Sequence, residues 1–237
     1  MGKNKKTARI AGAIYLIVVL TGIFSLVYVP SKLIVWNNPA QTYQNIVASE
    51  LLFRLGIFSN FICYVVFLIL ALLLYKLLRE VNKNHAKLMV ILVMVSVSIS
   101  FLNTQNKLAV LTLIGKAGYL KVLSLGQLQS QVMFYLDNYY NGMIISQIFW
   151  GLWLFPFGYL VFRSGFLPKF LGVFLILGCF GYLVNAVGET LLPNYGESVI
   201  SSYITLPASM GEIGTCLWLL IMGIKDESVF DKIIAKA

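Results

Sequence analysis

The sequence predicts an all-α integral membrane protein, a six-transmembrane-helix bundle with short outer-side helices, and three observations carry that expectation. Apolar residues make up 59% of the 237 and charged residues 11%, with a mean hydropathy of +0.84, outside the range of soluble domains. Six apolar runs reach the roughly 20 residues that a helix needs to cross a hydrocarbon core about 30 Å thick. The cations gather in short groups at the ends of those runs, on alternate connections.

The predicted spans are 9–29, 51–78, 88–107, 140–162, 170–192 and 206–224, within one membrane domain covering 1–237. The start, MGKNKKTARIAGAIYLIVVLTGIFSLVYVP, has the charged head and apolar stretch of a signal peptide. Its apolar run from Ile10 to Val29 is of full spanning length and no small-x-small cleavage site follows, so an uncleaved first helix is expected. After it, Asn38-Pro39 is an N-cap followed by proline at the first helical position, which predicts a short polar helix reaching about Ala48. Ser49 is placed to cap the second span.

The third span ends near Lys107, and Gly115-Lys116-Ala117-Gly118 breaks the chain after it. Ser124 and Gln127 have capping-box spacing, so a helix is expected to start there and run directly into the fourth span. Pro156 inside that span removes a backbone hydrogen bond and predicts a packing kink. In the fifth span Gly178, Gly181 and Gly188 share a side with Asn185 and would admit a close neighbouring helix, of this chain or of another. A short connection, 193–205, carries Glu197 and leads to the sixth.

Charge placement sets the expected topology. Lys3, Lys5, Lys6 and Arg9 precede the first span; Lys76, Arg79, Lys83 and Lys87 join the second and third; Arg163 and Lys169 join the fourth and fifth; Lys225, Lys232 and Lys236 follow the sixth. The positive-inside rule makes these stretches cytoplasmic, with both termini inside. The net charge of +9 is thus a topology signal, and no nucleic-acid patch is expected. Cys63, Cys179 and Cys216 all lie in apolar runs, where a thiol acts as a small hydrophobe, and no disulfide framework is read.

Charge inside a membrane helix costs several kcal/mol at its centre, so each polar residue there needs a partner or water. Arg54 follows Glu50 by four residues and shares its helix face. Ser96, Ser100, Asn103 and Lys107 form one narrow stripe on the third span; Asp137, Asn138 and Asn141 open the fourth, with Gln147 deeper; Asn185 and Glu189 share a face of the fifth; Ser209, Glu212 and Thr215 cluster on the sixth. In the predicted topology nearly all of these fall in the outer part of the bilayer. The candidate polar cluster is therefore Arg54, Asn103, Lys107, Asn141, Asn185, Glu189 and Glu212, with Arg54 as its organiser because its planar fork serves two acceptors and stays charged. The alternative is that these groups only lock helices together, and Glu50, Lys107 and Asp137 stand near enough to the interface to snorkel into water. Glu212 is too deep to do so, about five residues or roughly 7–8 Å beyond Pro207.

Several chemistries find no footing. His85 is the single histidine and falls in a predicted cytoplasmic loop, against haem, zinc or histidine-triad chemistry in the membrane. Metal and cofactor are both expected to be absent, there being no GxSxG, HExxH, P-loop or GxGxxG pattern. Trp150, Trp153 and Trp218 fit interfacial belts and helix packing.

The stretches KKTARIAGAIYLIVVLTGIFSLVYVPSKLIV, LLFRLGIFSNFICYVVF, FWGLWLFPFGYLVFRSGFLPKFLG and LPASMGEIGTCLWLLIMG resemble a bacterial family of multi-pass membrane proteins, domain of unknown function DUF4386. The resemblance covers almost the whole chain. It implies a bacterial inner-membrane protein with Arg54 and Glu212 in characteristic stretches, and brings no activity, substrate or cofactor.

Three functions stay open on this reading. The first is binding or transport of a small solute through an outward-facing polar cavity, although six helices show no duplicated half. The second is a non-catalytic scaffold or sensor whose glycine-lined faces take a homo-oligomeric or other membrane-protein partner. The third is an enzyme acting on a lipid-linked substrate with Glu189 and Glu212 as acid and base, which ranks lower for want of a nucleophile or metal motif.

Overall fold

The structure, a computed structural model, describes residues 3–115 and 117–224. Lys116 of the predicted chain break and Lys225, Lys232 and Lys236 of the predicted cytoplasmic tail lie outside the described residues.

The described residues are predominantly helical and contain no strand. The elements are α1 (Lys3–Ile23), α2 (Val29–Leu33), α3 (Pro39–Ala48), α4 (Glu50–Leu78), α5 (Lys83–Asn103), α6 (Gln105–Ile114), α7 (Leu125–Arg163), α8 (Lys169–Leu191), α9 (Val199–Tyr203) and α10 (Leu206–Ile221). Joined where they run on, they give six helices long and apolar enough to cross a membrane: Asn4–Leu33, Glu50–Leu78, Lys83–Ile114, Leu125–Arg163, Lys169–Leu191 and Val199–Ile221.

Local chemistry explains the joints. Between α1 and α2 the backbone widens into a π-helical turn, Phe24–Tyr28, closed by the Val29 N–H donating to the Phe24 carbonyl. Pro30 follows directly; its ring would strike the carbonyl four residues back in a regular helix, and the wider turn removes that clash. Between α5 and α6 the Thr104 hydroxyl donates back to the Ser100 carbonyl at 2.8 Å, a bond that competes with the helix ladder and bends it. Asn38 caps α3 as its sequence predicts, accepting from the Gln41 N–H at 2.9 Å. The Thr42 hydroxyl then ties α3 to both the N–H and the carbonyl of Val35, at 2.9 and 3.0 Å.

The capping box at Ser124 forms: its hydroxyl accepts from the Gln127 N–H, and the Gln127 side chain accepts from the Ser124 N–H at 2.7 Å. α7 starts there and continues unbroken for 39 residues, about 58 Å and nearly twice the hydrocarbon thickness. Pro156 lies inside it. One loop residue moves: His85, expected in a loop, stands in the first turn of α5. Asn82 caps that turn, accepting from the His85 N–H at 3.1 Å, and the imidazole stacks on Tyr159 at 4.2 Å.

The chain forms two compact units. Among the described residues, those of Met1–Ile17, Val66–Val97 and Ile144–Ala237 form unit 1 and those of Val18–Val65 and Ser98–Met143 form unit 2. Unit 1 is held by helices in near-backbone contact. A Cβ at Gly158 would meet the Gly172 carbonyl oxygen at 2.7 Å, and one at Gly172 would meet the Gly158 oxygen at 2.6 Å. The glycine side of α8 is filled from the same chain, Gly178 by Ala208, Gly181 by Ile204 and Gly188 by the Tyr195 ring. Trp153 packs here between Phe67 and Phe157, at 5.1 and 5.0 Å.

Unit 2 has an apolar core that includes Val29, Leu33, Ile46, Phe53, Val110 and Leu136, drawn from α2, α3, α4, α6 and α7. α4 is stitched to α1 through backbone carbonyls: Ser59 donates to the Thr21 carbonyl at 3.0 Å and the Cys63 thiol reaches the Val18 carbonyl at 3.6 Å.

Candidate functional site

A polar core in unit 2 is centred on Tyr139 of α7. Of the stripe predicted on the third span, Ser100, Asn103 and Lys107 are buried in this unit, and Ser96, which belongs to unit 1, is buried as well. Asn103 donates through Nδ2 to the Tyr139 carbonyl at 2.9 Å and accepts from Asn106 Nδ2 at 3.0 Å. From α4, Asn60 Nδ2 donates to the Tyr139 hydroxyl at 3.2 Å. The Lys107 ammonium stands 4.0 Å from the centroid of the same ring, a cation–π arrangement that grows stronger when desolvated. Gly142, one turn after Tyr139, leaves the room Asn103 occupies, since a Cβ there would overlap its side-chain amide.

Two features set this core apart from ordinary packing. Asn60 Oδ1 is buried with no hydrogen-bond partner, and an orphaned polar group costs about 1–3 kcal/mol; the Tyr64 hydroxyl lies among those of Tyr139, Ser100 and Thr104. Lys107 is 3% exposed and has no carboxylate partner among the described residues. The expected escape of this lysine to the interface does not occur, because α6 carries it to the inward side of the helix.

The remaining predicted cluster members lie elsewhere. Arg54 does not organise the core of its own unit: its guanidinium is held by Glu50 at 2.6 Å with 55% of the side chain exposed. Asn141 is exposed. In unit 1, Asn185 donates to Gln147 Oε1 at 2.8 Å. Glu189 lies beside Gly196 of the following connection, where a Cβ would come within 3.3 Å of its Oε1. Glu212 accepts from the hydroxyl of Tyr15, itself 1% exposed, at 3.2 Å. Structure thus gathers Asn103 and Lys107 from the predicted set and adds Asn60, Asn106 and Tyr139, with Tyr15 beside Glu212. Asn60 was detectable as an amide inside an apolar run, and Gly142 as a glycine inside a helical one. Tyr15 and Tyr139 gave no signal separate from the aromatic belts.

The fold and its buried polar cores define an all-helical protein with six helices of membrane-spanning length. Residues 10–223 match the family described as domain of unknown function (DUF4386), and the chain belongs to that family. It is also similar to an uncharacterized protein of Archaeoglobus fulgidus, 33% identical over 90 residues, which are 38% of this chain and 51% of the archaeal one. The match thus spans about half the length of that relative. No solved structure matches.

Proposed function

We propose that this protein binds a small solute in the polar core of unit 2, as a multi-pass protein of a bacterial inner membrane with both termini in the cytoplasm. The observation that carries the reading is the Asn60–Tyr139–Asn103 network with Asn60 Oδ1 left unpartnered inside it. A network serving only as glue is stabilised by satisfying its members, whereas a binding site keeps donors and acceptors for its ligand. The orientation rests on Lys76, Arg79, Lys83 and Lys87 around the α4–α5 connection and on Arg163 and Lys169 around the α7–α8 connection. Within unit 2, Trp36 and Tyr140 meet edge to face at 5.8 Å, the aromatic pairing expected of an interfacial belt. A scaffold reading loses its main motive, since the glycine side of α8 is filled by the chain's own residues.

The test is thermal unfolding of detergent-purified protein across a panel of small anions, amino acids and sugars, with Asn60→Leu and Glu212→Gln in parallel. A solute that stabilises the wild type and Glu212→Gln but not Asn60→Leu supports the site. A panel that leaves the wild type unmoved, with Asn60→Leu melting higher than wild type, makes the network structural and ends the proposal.

A further inference from the structure

Unit 1 holds a carboxyl group where a charge is costly. Glu212 of α10 stands near the middle of the Val199–Ile221 span, nine residues and about 13 Å along the helix from Ile221. Its hydrogen-bond partner is the hydroxyl of Tyr15, buried on α1, at 3.2 Å. The other titratable groups around it carry no positive charge: α8 brings the Tyr182 phenol, and α10 itself brings Cys216, whose thiol turns to the Gly12 carbonyl at 3.6 Å. No ion pair among the described residues reaches Glu212. Arg9 is six residues, about 9 Å along α1, from Tyr15 and donates to the Ile221 carbonyl at 3.0 Å; the cation of α8, Lys169, opens that helix. An ionised carboxylate at such a depth costs more than one hydrogen bond returns, and a carboxyl without a counter-ion escapes that cost by taking up a proton. Thr215 follows Glu212 by three residues, the spacing at which helix side chains adjoin. Its hydroxyl is fully buried with no partner, so the site keeps an acceptor for an acid O–H.

From this arrangement we infer that Glu212 is a reversible proton-binding site within the membrane, a carboxyl that takes up one proton as a neutral acid between Tyr15 and Thr215 and releases it again. Two opposed forces keep both states within reach. The apolar depth and the missing counter-ion favour the acid, while the Tyr15 O–H, donating to Oε1, favours the carboxylate. The acid still accepts from Tyr15 through its carbonyl oxygen, so the contact between α1 and α10 survives the change of state. A proton is the ligand this chemistry fits. A divalent metal would need further charged ligands, and the described residues contain no group of three or more His, Cys, Asp or Glu able to hold one. The site belongs to unit 1 and is inferred independently of solute binding in unit 2.

The experiment follows the carboxylic-acid C=O stretch by infrared difference spectroscopy of the full chain in phosphatidylcholine nanodiscs, from about pH 5 to about pH 9, a range above the ordinary carboxyl value. Wild type, Glu212→Gln and Tyr15→Phe are compared. Wild type is expected to show an acid band at the low end that disappears as the pH rises and is missing from Glu212→Gln, a variant of the acid's own shape that is expected to fold. Tyr15→Phe removes the donor that favours the carboxylate and is expected to keep the band to higher pH, a shift that a merely structural Tyr15 would not produce. Dicyclohexylcarbodiimide, which attacks protonated carboxyl groups in apolar surroundings, is expected to label Glu212 at the low end and less at the high end, read by peptide mass mapping. Wild-type and Glu212→Gln spectra that coincide across the whole range overturn the proposal, since Glu212 then never holds a proton. A band that persists unchanged to the alkaline end overturns it as well, since the proton is then never released.

Discussion

At the residue scale the polar cores depend on a few side chains whose neighbours were chosen by space as much as by chemistry. Asn103 reaches the Tyr139 carbonyl only because Gly142 has no side chain. Gly142→Ala is therefore expected to push Asn103 aside and lower stability by about 1–3 kcal/mol, the usual cost of overpacking. With Asn103→Ala in the background the penalty should fall, and a non-additive double-mutant cycle in thermal unfolding is the check. In unit 1, Glu212→Gln keeps an acceptor for Tyr15 and should cost little, whereas Glu212→Leu strands a buried hydroxyl at about 1–3 kcal/mol. Equal losses for the two variants would show that the Tyr15 bond contributes nothing. The stripe Ser96, Ser100, Asn103 and Lys107 was legible because helical spacing alone puts those residues on one face. Its partner was not: a tyrosine in an apolar run is equally at home in a belt, in the core or at a site. Arg54 shows the converse, a strong chemical candidate whose neighbour Glu50, one turn earlier, holds it at the surface.

At the scale of elements, helix ends were more legible than helix faces. The Asn38 cap and the Ser124–Gln127 box formed where their spacing put them, since a cap is satisfied by residues three apart and needs nothing distant. Spans predicted at 9–29 and 88–107 extend to Asn4–Leu33 and Lys83–Ile114, because helices continue past the hydrophobic stretch wherever neighbours shelter them. The crossing of α7 and α8 rests on Gly158 and Gly172, each filling the space the other leaves. Gly158→Leu or Gly172→Leu is expected to force the backbones apart, a loss of about 3 kcal/mol or more by overpacking. Gly126→Leu, at a glycine with open space around it, serves as the control and should leave the melting temperature nearly unchanged.

For the whole molecule, the testable property is orientation. A fluorescent protein fused after Ala237 is expected to fluoresce and an alkaline phosphatase fused there to be inactive, while phosphatase inserted after Asn194 is active; the opposite pattern would invert the proposed topology.

What the sequence determined by itself was the helical class, the six runs of spanning length, the family and the capped ends, together with the expected orientation of the chain. Those properties are sums over neighbours along the chain, each residue contributing its hydropathy, charge or capping group without reference to distant ones. Tertiary structure alone decided that Lys107 turns inward over Tyr139, that Arg54 stays outside with Glu50, that Asn60 keeps a buried acceptor unpaired, and that the glycines of α8 receive their own chain. Each of these depends on how a helix is rotated about its axis and which helix faces it, and in a chain this uniformly apolar the hydrophobic pattern marks no single side for burial. Close packing at the small residues and the requirement to pair buried polar groups fix the rotation instead.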